Sequence, residues 1–283
     1  MSGLTRPAAD SELAWVAPAA VHSRVVEDRD ELVAIHAAEP WRVRVTERGE
    51  AAVLDRWRAH LDDCAVLGLW CSIGRIPVLL ADLMSVAGDL GFGRLLGPLV
   101  PEDAARPYLS AGLHVVERVL VMRLTSPGRA RAGEREPGGV TVREATPDDM
   151  PAVSALDAAS FEPFWHYDHR LLTSLARHSR IAVAEKDGAA IGYTLAAVRG
   201  GEGSLGRLAV APGARRHGVG RALASEAVGW MVDMGARGVV LSTQEDNAPS
   251  RALYRGIGFR EAPGALLVCA SAPLAASPHE ERA

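Results

Sequence analysis

The chain has 283 residues, of which 48% are hydrophobic and 23% charged, with a formal net charge of −4 at pH 7. That length predicts two domains, and the apolar fraction excludes a disordered polymer. The acidic balance gives no general attraction to nucleic acid or anionic lipid, no apolar run is long enough to span a bilayer, and three cysteines at 64, 71 and 269 fit neither a disulfide framework nor a metal site.

The first residues lack the basic-then-apolar order of a secretory signal, so a cytoplasmic protein with reduced thiols is expected. Residues 1–20 and 272–283 are rich in Ala, Pro, Ser and charge and are expected to fray. Residues 41–45, a turn over 47–50 and residues 51–54 read as a hairpin, and 65–70 as a further strand. A helix over 77–90, a strand over 95–100 and a short segment carrying Tyr108 follow. Residues 125–139 are polar, punctuated by Gly and Pro and without apolar periodicity, which marks a linker.

Beyond the linker the order repeats. A strand at 140–143 leads to Thr146-Pro147-Asp148-Asp149, an N-cap with proline at the first helical position, and then a helix through Leu156. Lys186-Asp187-Gly188 is a hairpin turn between strands at 180–185 and 190–198. A strand over 205–210, a Gly-rich loop, a helix over 219–234, a strand over 238–243, a short helix over 249–256 and a last strand over 265–269 complete the half. Tyr108 precedes Gly112-Leu113 as Tyr254 precedes Gly258-Phe259, at equal spacing. The reading is a tandem duplication, with domains at 21–124 and 140–271 joined by 125–139.

The chemistry concentrates in the second half. In Leu208-Ala209-Val210-Ala211-Pro212-Gly213-Ala214-Arg215-Arg216-His217-Gly218-Val219-Gly220-Arg221, an apolar strand runs into a glycine loop and a helix begins at once. A helix start exposes unpaired N–H groups and partial positive charge, Gly218 and Gly220 let a bulky anion approach the backbone, and Arg215, Arg216 and Arg221 add charge. The loop lacks the third glycine of the dinucleotide fingerprint and the Gly-Lys-Ser/Thr of nucleotide triphosphatases, which disfavours both readings.

Arg215-x-x-Gly218-x-Gly220 after a strand resembles the pyrophosphate motif of the GNAT superfamily of N-acetyltransferases, and the run from Asn247 to Tyr254, ending at Gly258-Phe259, resembles that superfamily's second cofactor motif. The likeness covers 140–270 by motif and 21–124 only by order of elements, as in tandem-domain members whose first domain has lost the cofactor loop. Tandem members that acetylate a cysteinyl sugar thiol are one specific relative. The resemblance implies an α/β fold of two tandem domains, each a mixed, largely antiparallel sheet flanked by helices, and acetyl-CoA as cosubstrate. It further implies that strands splay beyond Leu208, Ala209 and Val210, that amides from Arg216 to Arg221 (His217 and Val219 among them) hold the pyrophosphate, and that Asn247 fixes the pantetheine or the loop. Tyr254 matches the general acid that protonates the leaving thiolate.

An amine must also lose a proton. Glu202 stands where many members place a carboxylate, with Glu245 and Asp246 as alternatives. The aromatic and titratable run 161–169 falls where the superfamily builds its acceptor site, with Trp165 expected to line the pocket and His166 as a minor base. The first half's counterpart loop, Cys71-Ser72-Ile73-Gly74-Arg75-Ile76-Pro77, has one glycine and is expected not to bind acetyl-CoA. The expected function is N-acetylation of a primary amine of a small molecule, without metal, nucleic acid or membrane, and with a homodimer as an open assembly. The alternatives are a protein N-terminal or side-chain acetyltransferase and a non-catalytic acyl-CoA-binding regulator.

Overall fold

A computed structural model describes residues 3–22, 25–26, 28–58, 60–129 and 138–274. The chain divides into two compact units, one holding residues up to Arg118 together with those from Leu266 onward, the other Val119–Ala265. Most of the expected linker, residues 130–137, and the tail after 274 lie outside the described residues.

The first unit contains β1 (Arg6–Pro7), α1 (Leu13–His22), α2 (Arg29–Ala38), β2 (Val43–Val45), β3 (Ala51–Trp57), β4 (His60–Trp70), α3 (Ile76–Asp89), β5 (Arg94–Leu96), β6 (Val100–Pro101), α4 (Arg106–Ser110) and the start of β7 (His114–Leu124). Strands β1 to β5 pair in order, antiparallel except for β4 with β5. Two expectations are corrected here. Residues 1–20 were expected to fray, but those from Leu13 belong to a helix (Leu13–His22) that buries Leu13, Val16, Ala17 and Ala20. Their spacing is a helical stripe, which the Ala- and Pro-rich composition obscured. The strand expected over 95–100 is broken into β5 and β6 at Gly97-Pro98, where proline supplies no ladder donor.

The second unit begins with the end of β7 and continues through β8 (Thr141–Glu144), α5 (Met150–Ser160), α6 (His169–Leu175), β9 (Arg180–Lys186), β10 (Ala189–Arg199), β11 (Glu202–Val210), α7 (Val219–Asp233), β12 (Gly238–Gln244), α8 (Ala248–Ile257) and the first residues of β13 (Arg260–Ala270). The sheet order is β8-β9-β10-β11-β12-β7, antiparallel except for β11 with β12. Local chemistry sets the elements. Thr146 and Asp149 form a reciprocal capping box ahead of α5, and Asp187 and Gly188 both take positive φ in the two-residue turn between β9 and β10.

Helices cover both faces of this sheet. Leu205, Ala196, Met122 and Leu241 pack with Ala224, Val228 and Met231 of α7 and with Tyr254, Ile257 and Phe259. Tyr193, Leu195, Ala209, Ile181 and Val183 pack with Val153 and Leu156 of α5 and Leu172 of α6. At Gly192 and Gly203 the sheet leaves no room for a side chain: a Cβ at Gly192 would lie 2.8 Å from the Ala209 carbonyl and 2.9 Å from Leu223 of α7, and one at Gly203 2.7 Å from Met231 of α7. No described helix is long and apolar enough to cross a membrane.

Candidate active site

The site starts from a register fault in β11. Against β10, Ala196 faces Leu205 and Leu195 faces Arg207, so Gly206 is an inserted bulge residue. A bulge reverses the facing of every later side chain and bends its strand. Leu205 and Leu208 therefore share the α7 face, while Arg207 and Ala209 turn toward α5. Pairing of β11 with β12 stops at the same place, running only from Glu202–Gly238 to Leu205–Leu241. Both strands continue without pairing to each other, to Val210 and Gln244. A wedge-shaped gap opens along the last residues of β11. Because the Ala211 N–H bonds to Ile191 of β10, strand alternation aims the main-chain groups of Val210 and Leu208 into that gap.

Beyond Val210 the chain makes a 3-10 turn (Pro212–Ala214) and then an open loop. Arg216 has φ 65° and Gly218, the N-cap of α7, φ 84°. Left-handed backbone at Arg216 costs about 1 kcal/mol, whereas glycine takes it freely. Among the described residues, the N–H groups of Arg216, His217, Gly218, Val219 and Gly220 donate to no backbone carbonyl within normal hydrogen-bond geometry, while the Ala222 N–H bonds to the Gly218 carbonyl. Consecutive unspent donors at a helix start form a nest for an oxyanion. The Arg215 guanidinium folds back onto the Val210 carbonyl at 3.0 Å, and Arg221 reaches the Gly256 carbonyl of α8 at 3.3 Å. These two arginines thus fasten the loop to its surroundings.

Tyr254 lies on α8 with its ring buried and edge-on to Phe259, centroids 5.8 Å apart. Burial pushes its phenol up to about 12, so the hydroxyl is held as a donor throughout the neutral range. Asn247 is the N-cap of α8, its side chain accepting from the Ser250 N–H at 3.1 Å.

The loop after α5 stands at the same end of β11, where Ser160 donates to the Val210 carbonyl at 3.4 Å. Trp165 belongs to the 3-10 turn Pro163–Trp165 and is buried, edge-on to Phe164, so its ring is part of the packing, while His166 is half-buried. Behind the loop is a buried ionic cluster that sequence reading missed. Arg207 bonds Asp157 of α5 through Nε at 2.7 Å and Nη2 at 2.9 Å, and Nη2 also reaches the Trp165 carbonyl at 2.5 Å. Asp157 additionally accepts from the Tyr167 N–H at 2.6 Å and from the Tyr193 hydroxyl. The guanidinium is sandwiched between Phe161 and Tyr167, 3.6 and 3.8 Å from the ring centroids. Burial opposes the Arg207 charge, but the bond to Asp157 leaves its pKa raised, and burial with the Asp157 charge raises that of Tyr193. Removing one partner from such a pair costs about 3–5 kcal/mol. The only signal in the sequence was an arginine among the apolar residues of β11.

Glu202 is elsewhere. It opens β11 at the end opposite Val210, about 26 Å along the strand at roughly 3.3 Å per residue, and pairs with Arg123 at 3.1 Å. The structure groups Leu208, Ala209 and Val210, the loop 215–221 and the segment 160–167 around one end of β11 and leaves Glu202 outside that group. Glu245 and Asp246 follow β12 directly, at the open end of the gap.

The counterpart in the first unit is built differently. A 3-10 turn (Ile73–Arg75) leads straight into α3, with no positive φ. The Arg75 and Ile76 N–H groups are spent on Ser72 and Ile73, and Pro77 has none. Arg75 is held by Glu50 at 2.8 and 3.1 Å.

A bulged strand that parts from its parallel neighbour thus runs into a loop with left-handed backbone at Arg216 and Gly218 and on into α7. Residues 143–259 match the model of the acetyltransferase (GNAT) family. A mycothiol acetyltransferase of Clavibacter sepedonicus is 31% identical over 187 residues, covering 62% of this chain and 58% of the relative. The chain spans a little over half the length of the curated relatives it matches. Among solved structures, a GCN5-related N-acetyltransferase from Sphaerobacter thermophilus superposes with TM-score 0.63 at 18% identity, covering 95% of each chain. A tandem GNAT protein from the clavulanic acid biosynthesis pathway gives 0.61 at 19% identity, over 83% of this chain and 82% of the other. At those identities the likeness is one of fold, and it extends through both units.

Proposed function

We propose that this protein is an acetyl-CoA-dependent N-acetyltransferase acting on a primary amine of a small molecule, with chemistry confined to the second unit. The observation that supports it most is the coincidence, at one end of β11, of unpaired strand edge and unspent amides. A pantetheine arm needs strand-like partners and a pyrophosphate needs donors, and the two features follow each other in the chain. Acetyl-CoA supplies the acetyl group as an activated thioester. In this reading the N–H groups of Arg216 to Arg221 hold the pyrophosphate, and Leu208, Ala209 and Val210 offer the strand edge. The Val210 N–H faces the position where carbonyl charge develops. Tyr254 donates to the departing sulfur, and Asn247 keeps α8 in place by capping it. Trp165 and His166 belong to the wall of the amine site. Glu245 and Asp246, at the same end of the gap, are the carboxylates we assign to proton removal, because Glu202 stands at the far end of its strand.

Relatives named mycothiol acetyltransferase favour a small-molecule acceptor over a protein one. The first unit, whose loop has spent its donors, is proposed not to bind acetyl-CoA. Calorimetric titration of acetyl-CoA tests both statements. One site per chain is expected, abolished by Gly218→Trp/Gly220→Trp, with CoA release when amines are added. No binding refutes the assignment, two sites refute the reading of the first unit, and binding without turnover leaves an acyl-CoA-binding regulator.

A further inference from the structure

The buried Asp157–Arg207 cluster takes no part in the chemistry just assigned, yet it joins the elements that frame the site. Arg207 follows the Gly206 bulge, three residues before Val210 on the splayed part of β11. Its guanidinium leaves the strand on the α5 side, meets Asp157, and ends on the Trp165 carbonyl in the loop after α5. Phe161 and Tyr167, from opposite ends of that loop, close over its two faces. The Tyr167 N–H is fixed by the same carboxylate, and Tyr193 of β10 supplies a further donor to it. A packed apolar core would need no charge here. What the planar fork adds is direction, since parallel bonds and stacked rings fix the loop's entry, middle and exit relative to one strand residue.

We infer that Arg207 is a positioning residue that sets segment 161–167 in register with the end of β11, so that amine recognition depends on it and acetyl-CoA binding does not. This rests on the acetyltransferase reading above for the identity of the amine site. The cofactor features lie on the other parts of the same strand end, namely its free edge and the loop 215–221, whereas Arg207 and Asp157 bond each other, Trp165, Tyr167 and Tyr193, and Ser160 at the end of α5 reaches the Val210 carbonyl at 3.4 Å. A loosened loop therefore changes how the acceptor is held without disturbing the nest.

The experiment compares the full chain with Arg207→Lys, which keeps the charge but not the fork, and with Asp157→Leu/Arg207→Met, which removes both charges together and so avoids leaving one buried alone. Acetyl-CoA affinity is read by calorimetry, loop order by the fluorine resonance of Trp165 in 5-fluorotryptophan-labelled protein, assigned with Trp165→Phe. Turnover is read on a panel of glucosamine, tyramine and spermidine, with kcat and KM taken on the amine the wild type uses fastest. Expected in both variants are an acetyl-CoA Kd within about twofold, a shifted or broadened Trp165 line with the other tryptophan lines unchanged, and an amine KM raised about tenfold or more with kcat changed much less. Arg207→Lys restoring wild-type KM would overturn the inference, as would a parallel loss of acetyl-CoA affinity or an unmoved Trp165 line. A wild type that binds acetyl-CoA but turns over none of the panel overturns the claim about small-amine recognition. A wild type that does not bind acetyl-CoA overturns the parent reading itself.

Discussion

Replacing Tyr254 by phenylalanine separates chemistry from packing more cleanly than any other single change. The ring stays, with its edge-on contact to Phe259, and the hydroxyl makes no hydrogen bond to a described residue, so stability should move by less than about 1 kcal/mol. Burial raises the phenol to about 12, which favours the neutral donor. At pH 7–9 Tyr254 is therefore protonated, and its role is to donate to sulfur as negative charge develops there. Losing a general acid lowers kcat by about 10²–10⁴. The assay is CoA release followed with a thiol reagent, alongside acetyl-CoA affinity and a thermal melt of both proteins. A kcat for Tyr254→Phe within threefold of wild type, with binding intact, would show that Tyr254 only fills the core. The sign of the pH effect is a second check. Because the folded pKa lies above the unfolded one, the stabilisation from the neutral phenol is complete below pH 10 and is lost as pH rises from 10 to about 12.

Gly218→Val should raise the acetyl-CoA Kd at least about tenfold, since φ 84° disfavours a β-branched residue and the turn aims the free amides, while the melting point falls only slightly. Calorimetry and a melt distinguish this from general unfolding, and an unchanged Kd would remove the loop from the cofactor site. Glu202→Gln should leave kcat within about threefold, because an exposed pair with Arg123 contributes about 0–1 kcal/mol and no chemistry, whereas Asp246→Asn or Glu245→Gln should lower it in steady-state assays; a loss confined to Glu202→Gln would reverse the assignment. The Arg143 guanidinium and the Thr146 N–H hold the Asp149 carboxyl well below its ordinary range, so the stability it contributes is present above about pH 4 and lost as pH falls further. Asp149→Asn should therefore cost about 1 kcal/mol at neutral pH and flatten the acid limb in denaturant titrations, and a variant with the wild-type acid profile would contradict this.

Much of this architecture could be read from local signals. Thr146-Pro147, Asp187-Gly188 and Gly218 punctuate the second half at its element boundaries, and the structure has turns and helix starts at those points. Near the amino end the same kind of reading failed, because the stripe Leu13, Val16, Ala17 and Ala20 is built from residues that also suit a loose tail. The site was less legible than the fold. The loop at 215–221 is contiguous in sequence and so can be proposed from it, whereas the Asp157–Arg207 pair joins positions 50 apart and cannot.

The sequence by itself marked most strands and helices beyond residue 140 and the glycine at the start of α7, since these follow from short-range periodicity, turn chemistry and glycine placement. Only the tertiary structure decided where β11 parts from β12, which face Arg207 takes after the Gly206 bulge, and that Glu202 ends far from Val210. The reason is physical. A bulge is one residue out of register with a partner strand, and a buried ion pair is a choice made between distant segments, so neither has a local period or composition that a linear reading could detect.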